Sequence, residues 1–130
     1  RAGETKQVLH DQLTTALSNL TSEDIETIVI AYEPVWAIST FGGELAKPDE
    51  VQQALNLIRY QIKELYGETA AEAVRVLYGG SVDDQIVRGY LELKGCDGAL
   101  VGAASLNYHK FSGIVDSANR LLRERPKDDE

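Results

Sequence analysis

Three short runs of β-branched and aliphatic residues constrain this chain more than any other feature, because each run ends in a turn and a helical period follows. The runs are Thr27-Ile28-Val29-Ile30-Ala31-Tyr32, Val74-Arg75-Val76-Leu77-Tyr78 and Gly98-Ala99-Leu100-Val101. The first is apolar without alternation, the pattern of a strand covered on both faces in a parallel sheet. Residues 5–20 read as a helix with Leu9, Leu13, Ala16, Leu17 and Leu20 on one face, and a polar break at 21–24 follows. Pro48 opens a second helix, where proline suits the first position and Asp49 and Glu50 complement the positive end. Its buried stripe is Val51, Leu55, Ile58, Ile62 and Leu65, and Gly67 closes it. Ser81 reads as the N-cap of a third helix, with Asp84 at the N3 position, running towards Leu93 and stopping at Gly95. The core face of the last helix is Phe111, Ile114, Val115, Ala118, Leu121 and Leu122. The order is one helix, then strand and helix three times, which means a parallel sheet with helices outside. Strands are expected near 25–32, 74–78 and 98–101, within one domain over residues 1–130 whose last stretch, 125–130, is a frayed tail.

Composition narrows the setting. A chain of 130 residues is long enough to bury one core, and 43% hydrophobic with 26% charged residues is the balance of a soluble globular protein. No apolar run approaches the length of a membrane span, and the polar start, Arg1-Ala2-Gly3-Glu4-Thr5, has no signal-peptide core. The lack of an initiator Met leaves a trimmed chain, a cleaved chain and a longer reading frame all open. A net charge of −8 repels nucleic acid and anionic lipid, so neither is expected as a partner. An anionic substrate has to be held by local fields against the global one. The single cysteine, Cys96, cannot form an internal disulfide, which fits a cytoplasmic location, and it reads as a small structural apolar residue.

Each strand ends in something chemical: Glu33, then Gly79-Gly80-Ser81, then Gly102-Ala103. Parallel β/α folds place their sites at the carboxyl ends of strands, so the three converge on one face. Glycine turns that lead into helix N-termini let backbone N–H groups approach a phosphate, or simply make tight connections. Glu33 stands directly before Pro34, which keeps it out of the helical region. A carboxylate there is either a general base or a solvated loop residue.

The neighbouring residues bear on both choices. Ala31-Tyr32-Glu33-Pro34-Val35-Trp36-Ala37-Ile38, Tyr78-Gly79-Gly80-Ser81-Val82 and Gly98-Ala99-Leu100-Val101-Gly102-Ala103-Ala104-Ser105-Leu106 resemble triosephosphate isomerase in content, order and spacing. The resemblance covers about residues 1–124. It implies the C-terminal portion of a (β/α)8 TIM barrel, with about three parallel strands and four helices of an eight-stranded whole. It also implies an isomerase of glycolysis and gluconeogenesis that interconverts dihydroxyacetone phosphate and glyceraldehyde 3-phosphate, without metal or cofactor. By the same resemblance Glu33 is the base. Pro34, Val35 and Trp36 are the hinge of a closing loop, and Ala37, Ile38, Ser39 and Thr40 are its tip. Ser39, Ser81, Gly102 and Ala103 hold the phosphate.

Departures from the family pattern accompany the resemblance. Ser39 stands where the family tip has glycine, and Ala103 where the last turn has its second glycine. If that second position needs positive φ, the Ala103 methyl moves the amide. Lys47 replaces a hydroxyl residue before Pro48, so the helix there loses a cap oxygen. The family's electrophilic lysine and histidine belong to its first half. His10 and His109 match neither role and read as exposed helix residues. Two readings follow. One is a C-terminal portion of the enzyme, active when an N-terminal barrel fragment completes it. The other is a non-catalytic half-barrel that self-associates as a homo-oligomer and at most binds inorganic phosphate.

Overall fold

The computed structural model describes residues 2–34 and 46–124. Helix α1, Ala2–Ala16, lays Leu9, Leu13 and Leu17 into the core at the four-residue spacing that keeps side chains on one face. The segment 21–24, expected as a polar break, is instead the start of a capped helical turn, α2, Ser22–Ile25. The Thr21 hydroxyl accepts the Asp24 N–H at 3.1 Å, and the Asp24 carboxylate accepts the Thr21 N–H at 3.0 Å. Polar residues at this spacing make a capping box, and the turn buries Ile25 completely.

That turn shortens the first strand. β1 is Val29–Tyr32, because Ile25 is committed to α2 and the Thr27 hydroxyl donates to the Asp24 carbonyl. Helix α3, Pro48–Tyr66, follows with Val51, Ala54, Leu55, Ile58 and Ile62 buried; Leu65, expected in that stripe, is exposed. Lys47 offers no cap oxygen, yet the Glu50 carboxylate accepts the Lys47 N–H at 3.2 Å and supplies half of a capping box. Helix α4, Glu68–Ala73, follows directly after Gly67. Strand β2, Arg75–Gly79, and strand β3, Gly98–Leu100, lie within one residue of the expected ends.

The three strands are parallel and stand in chain order, β1-β2-β3. Register pairs Tyr32 with Tyr78 and Gly79 with Leu100, which brings their carboxyl ends to one rim. Alternation decides burial: Tyr32, Val76 and Tyr78 face the helices and are buried, whereas Val29, Ala31 and Arg75 point the other way and are exposed. The continuous apolarity of 27–32 thus prepares two covered faces, and the helices of this chain cover one.

Two corrections concern the later helices. The third expected helix begins at Val87, not after Ser81: α5 is Val87–Leu91. Asp83, rather than Ser81 with Asp84, organises its approach, accepting the N–H groups of Gln85 and Ile86 at 2.9 and 3.1 Å. The chain after β3 makes a 3₁₀ turn, Ala103–Leu106, before α6, Tyr108–Glu124. Of the expected α6 core face only Ile114 and Leu121 are buried; Phe111, Val115 and Leu122 are exposed. α6 packs on α5 and the 3₁₀ turn, so its stripe has a partner along one edge only.

Polar ties complete the frame. Arg59 of α3 donates to the carbonyls of Ala71, Val74 and Gly95 and to the Asp97 carboxylate, at 2.7–3.0 Å. Asp97 also accepts the Val76 N–H at 2.8 Å, so one arginine locks the amino ends of β2 and β3. Gly95 permits this: its φ is +85°, and a Cβ there would stand 2.9 Å from Arg59 Nε. His10 is exposed, as expected, and its Nδ1 meets the buried Gln61 side chain at 2.8 Å. No helix of the described residues is long and apolar enough to cross a membrane.

Candidate active site

Because the strands are parallel and in register, the residues that follow each one gather at a single rim. A cleft of about 510 Å³ opens there, lined by Glu33, Ser81, Gly102 and Ala103, four of the five candidates that fall among the described residues. The fifth, Pro34, is buried and does not line the cleft. Val35, Trp36, Ala37, Ile38, Ser39 and Thr40 lie outside the described residues.

Glu33 enters the cleft across the end of β2. A Cβ at position 79 would stand 2.7 Å from Glu33 Cγ and 3.2 Å from its Oε1. Gly79 therefore has a role beyond turning the chain: it is the bare patch of backbone over which the carboxylate stem lies. A group so placed, exposed at the mouth of a cleft, can exchange a proton with a molecule bound there.

Gly102 and Ala103 line the same cleft from the turn after β3. Ala103 opens the 3₁₀ turn, and first-turn N–H groups have no acceptor within their own helix. A 3₁₀ turn uses negative φ, so the Ala103 methyl brings no left-handed strain. The turn is held by Ser105, whose N–H and hydroxyl both donate to the Gly102 carbonyl, at 2.9 and 2.6 Å. Ser81 also lines the cleft, from the bend that directly follows β2.

Several contributors had escaped the sequence reading. Asn107 and Lys110 line the cleft from the start of α6, where Asn107 Oδ1 accepts the Lys110 N–H at 3.0 Å. An asparagine three residues ahead of a capped N–H is a legible N-cap signal. Behind β1 and β2, Tyr78 and Tyr90 stack with ring centroids 4.2 Å apart and planes 14° from parallel. The Tyr90 hydroxyl donates to the Ala46 carbonyl at 2.6 Å. The Tyr78 hydroxyl is buried beside it without a hydrogen bond of good geometry. Burial pushes the phenol of Tyr78 well above its ordinary range, and the nearby Tyr90 adds to the shift. Tyr90 is raised by burial too, and Tyr32 by burial and then by the Glu50 carboxylate. These phenols stay neutral and serve as packing. Among the described residues no group of three acidic, histidine or cysteine side chains is placed to hold a metal ion.

Known proteins resemble this chain in sequence. The sequence model of the triosephosphate isomerase family matches residues 1–118. The triosephosphate isomerase of Citrifermentans bemidjiense is 46% identical over 114 residues, covering 88% of this chain and 45% of that protein. The one from Clostridium tetani is 43% identical over 114 residues, 88% of this chain and 44% of its own length. The one from Protochlamydia amoebophila is 39% identical over 127 residues, 98% of this chain and 47% of its own. The chain spans about half the length of the curated relatives it matches.

Proposed function

The chain belongs to the triosephosphate isomerase family, and from that premise we propose that Glu33 is the base of a triose-phosphate isomerisation carried out by the completed barrel. The Glu33 carboxylate takes the proton from C1 of dihydroxyacetone phosphate. The electron pair left behind forms the enediolate, with charge on the former carbonyl oxygen, and the proton returns at C2 to give glyceraldehyde 3-phosphate. Ser81 and the backbone N–H groups of Gly102 and Ala103 hold the phosphate, with Ser39 joining them. The observation that carries this reading is the shared cleft: a carboxylate laid over Gly79 faces a turn whose first amides suit an anion.

The enediolate oxygen needs an electrophile, and such groups are commonly worth about 10²–10³ in rate. The family's lysine and histidine for that role lie in the portion of the barrel that this chain does not span. A second reading therefore applies to the 130-residue polypeptide taken by itself: a non-catalytic, self-associating half-barrel that binds phosphate. The exposed apolar side chains of Val29, Leu100, Val115 and Leu122 favour it.

An isomerase assay separates the two. The polypeptide alone is expected to show no turnover above background. Mixed with the amino-terminal portion of the Citrifermentans enzyme, it is expected to turn over, and Glu33→Gln should lower that rate by about 10²–10⁴. A completed barrel that is folded but inactive, or one indifferent to Glu33→Gln, removes Glu33 from the chemistry.

A further inference from the structure

Lys110 occupies the first turn of α6, where a positive charge opposes the helix macrodipole. The Asn107 cap fixes where that turn meets the cleft, and Lys110 lines the cleft together with Ser81, Gly102 and Ala103. Among the described residues its ammonium forms no ion pair, whereas Arg59, Arg88 and Arg120 each hold a carboxylate. It is also the sole cation among the described residues that line the cleft. The charges around it are unfavourable to an anion: Glu33 and Asp83 line the same space, and the whole chain carries −8. Backbone N–H groups offer only partial charges against that field.

We propose that Lys110 is a specificity-determining residue of the phosphate end of this cleft, its ammonium supplying the counter-charge that selects a phosphorylated ligand. This rests on the reading of the Gly102–Ala103 turn as a phosphate site, and it moves charge selection from the turn amides to a side chain of α6. The ammonium is a compact, mobile charge, suited to reach a dianion that the amides orient.

The test is an NMR titration of the 130-residue polypeptide with inorganic phosphate at low ionic strength. The amides of Ser81, Gly102 and Ala103 are expected to shift. Lys110→Gln should weaken binding about three- to tenfold, the range of one exposed charge-assisted contact. Lys110→Arg should keep it within about twofold, and the difference between wild type and Lys110→Gln should shrink as salt screens the pair. Lys94→Gln removes the same charge beside Gly95, at the amino end of β3, and should change nothing. Equal binding by wild type and Lys110→Gln overturns the proposal and leaves the phosphate site standing. Equal weakening by Lys94→Gln assigns the effect to net charge and overturns it too. No shift at Ser81, Gly102 or Ala103 in wild type removes the phosphate site and the proposal together.

Discussion

At the scale of single residues the site depends on an absence. Glu33 can lie across β2 because position 79 has no side chain. The nearest atom to an added methyl is the flexible stem of Glu33, so Gly79→Ala is expected to displace the glutamate and not the sheet. Stability should then fall by about 1–3 kcal/mol. The completed enzyme should lose about 10² in rate, the usual consequence of a base misplaced by about 1 Å. Urea denaturation and the assay of the reconstituted barrel together check this. A large loss of stability with unchanged turnover would mean that Glu33 keeps its place and the backbone yields. The glycine itself is plain in the sequence, and so is Glu33. That one exists for the other is not, since nothing in a linear string says which side chain crosses which backbone.

Among elements, the joints matter more than the helices they join. Arg59 bonds the carbonyls of Ala71 in α4, Val74 just before β2 and Gly95 in the turn before β3, and the carboxylate of Asp97, which directly precedes β3. Arg59→Met keeps most of the packing volume and leaves those acceptors without donors. It should cost about 2–3 kcal/mol, measured by urea unfolding, since losing one side of a partly buried network carries the desolvation of the other. A cost below about 0.5 kcal/mol would show that water replaces the guanidinium freely. The stacked tyrosines behind β1 and β2 act in a second way. Burial raises the phenols of Tyr78, Tyr90 and Tyr32 above the ordinary value of 10.0. Below pH 10 both folded and unfolded chains hold these protons, so the benefit of burial is complete. Above it the unfolded chain releases them first, so stability falls as pH rises, by up to about 1.4 kcal/mol per pH unit for each phenol. Unfolding curves at pH 8, 10.5 and 11.5 should show that fall, and Tyr78→Phe should make it shallower. Parallel pH profiles for the two proteins would remove Tyr78 from the effect.

For the whole molecule the decisive fact is the open sheet. β1 and β3 are both edge strands, and Val29 and Leu100 are 55% and 45% exposed. Beside β3 an apolar hollow of about 340 Å³ is lined by Val101 and by Phe111, Val115 and Leu122, the exposed part of the α6 stripe. Unpaired strand edges and a contiguous apolar surface both favour association. Burying about 500 Å² on each of two copies gives on the order of 25 kcal/mol of gross gain at ~25 cal/mol per Å². Association costs about 4–15 kcal/mol, so self-association is the expected outcome. Sedimentation of the 130-residue polypeptide at micromolar concentration should therefore show a species larger than one chain, and Val115→Lys with Leu122→Lys should shift it towards monomer. A folded monomer of the unaltered polypeptide would sink the prediction. Mixing with the amino-terminal barrel portion should compete with self-association, because both use the same edges.

The apolar periods of the sequence determined the alternation of strands with the longer helices, the parallel sheet and the rim where Glu33, Ser81, Gly102 and Ala103 meet, but not the short helices α2 and α4. They could do so because apolar alternation, β-branched content and strand-end glycines act through neighbours a few residues apart. Two of its readings gave way to local hydrogen bonds spanning only two or three residues. Ser81 looked like a cap until Asp83 took the amides of Gln85 and Ile86, and 21–24 looked like a break until Thr21 and Asp24 closed on each other. The stripe of α6 was read correctly as apolar, but how much of it is buried depends on what lies alongside. Periodicity reports which side chains prefer to leave water, and only the tertiary arrangement decides which of them do. The passage of Glu33 over Gly79 and the entry of Lys110 into the cleft are of that second kind, set by the meeting of elements and not by any one of them.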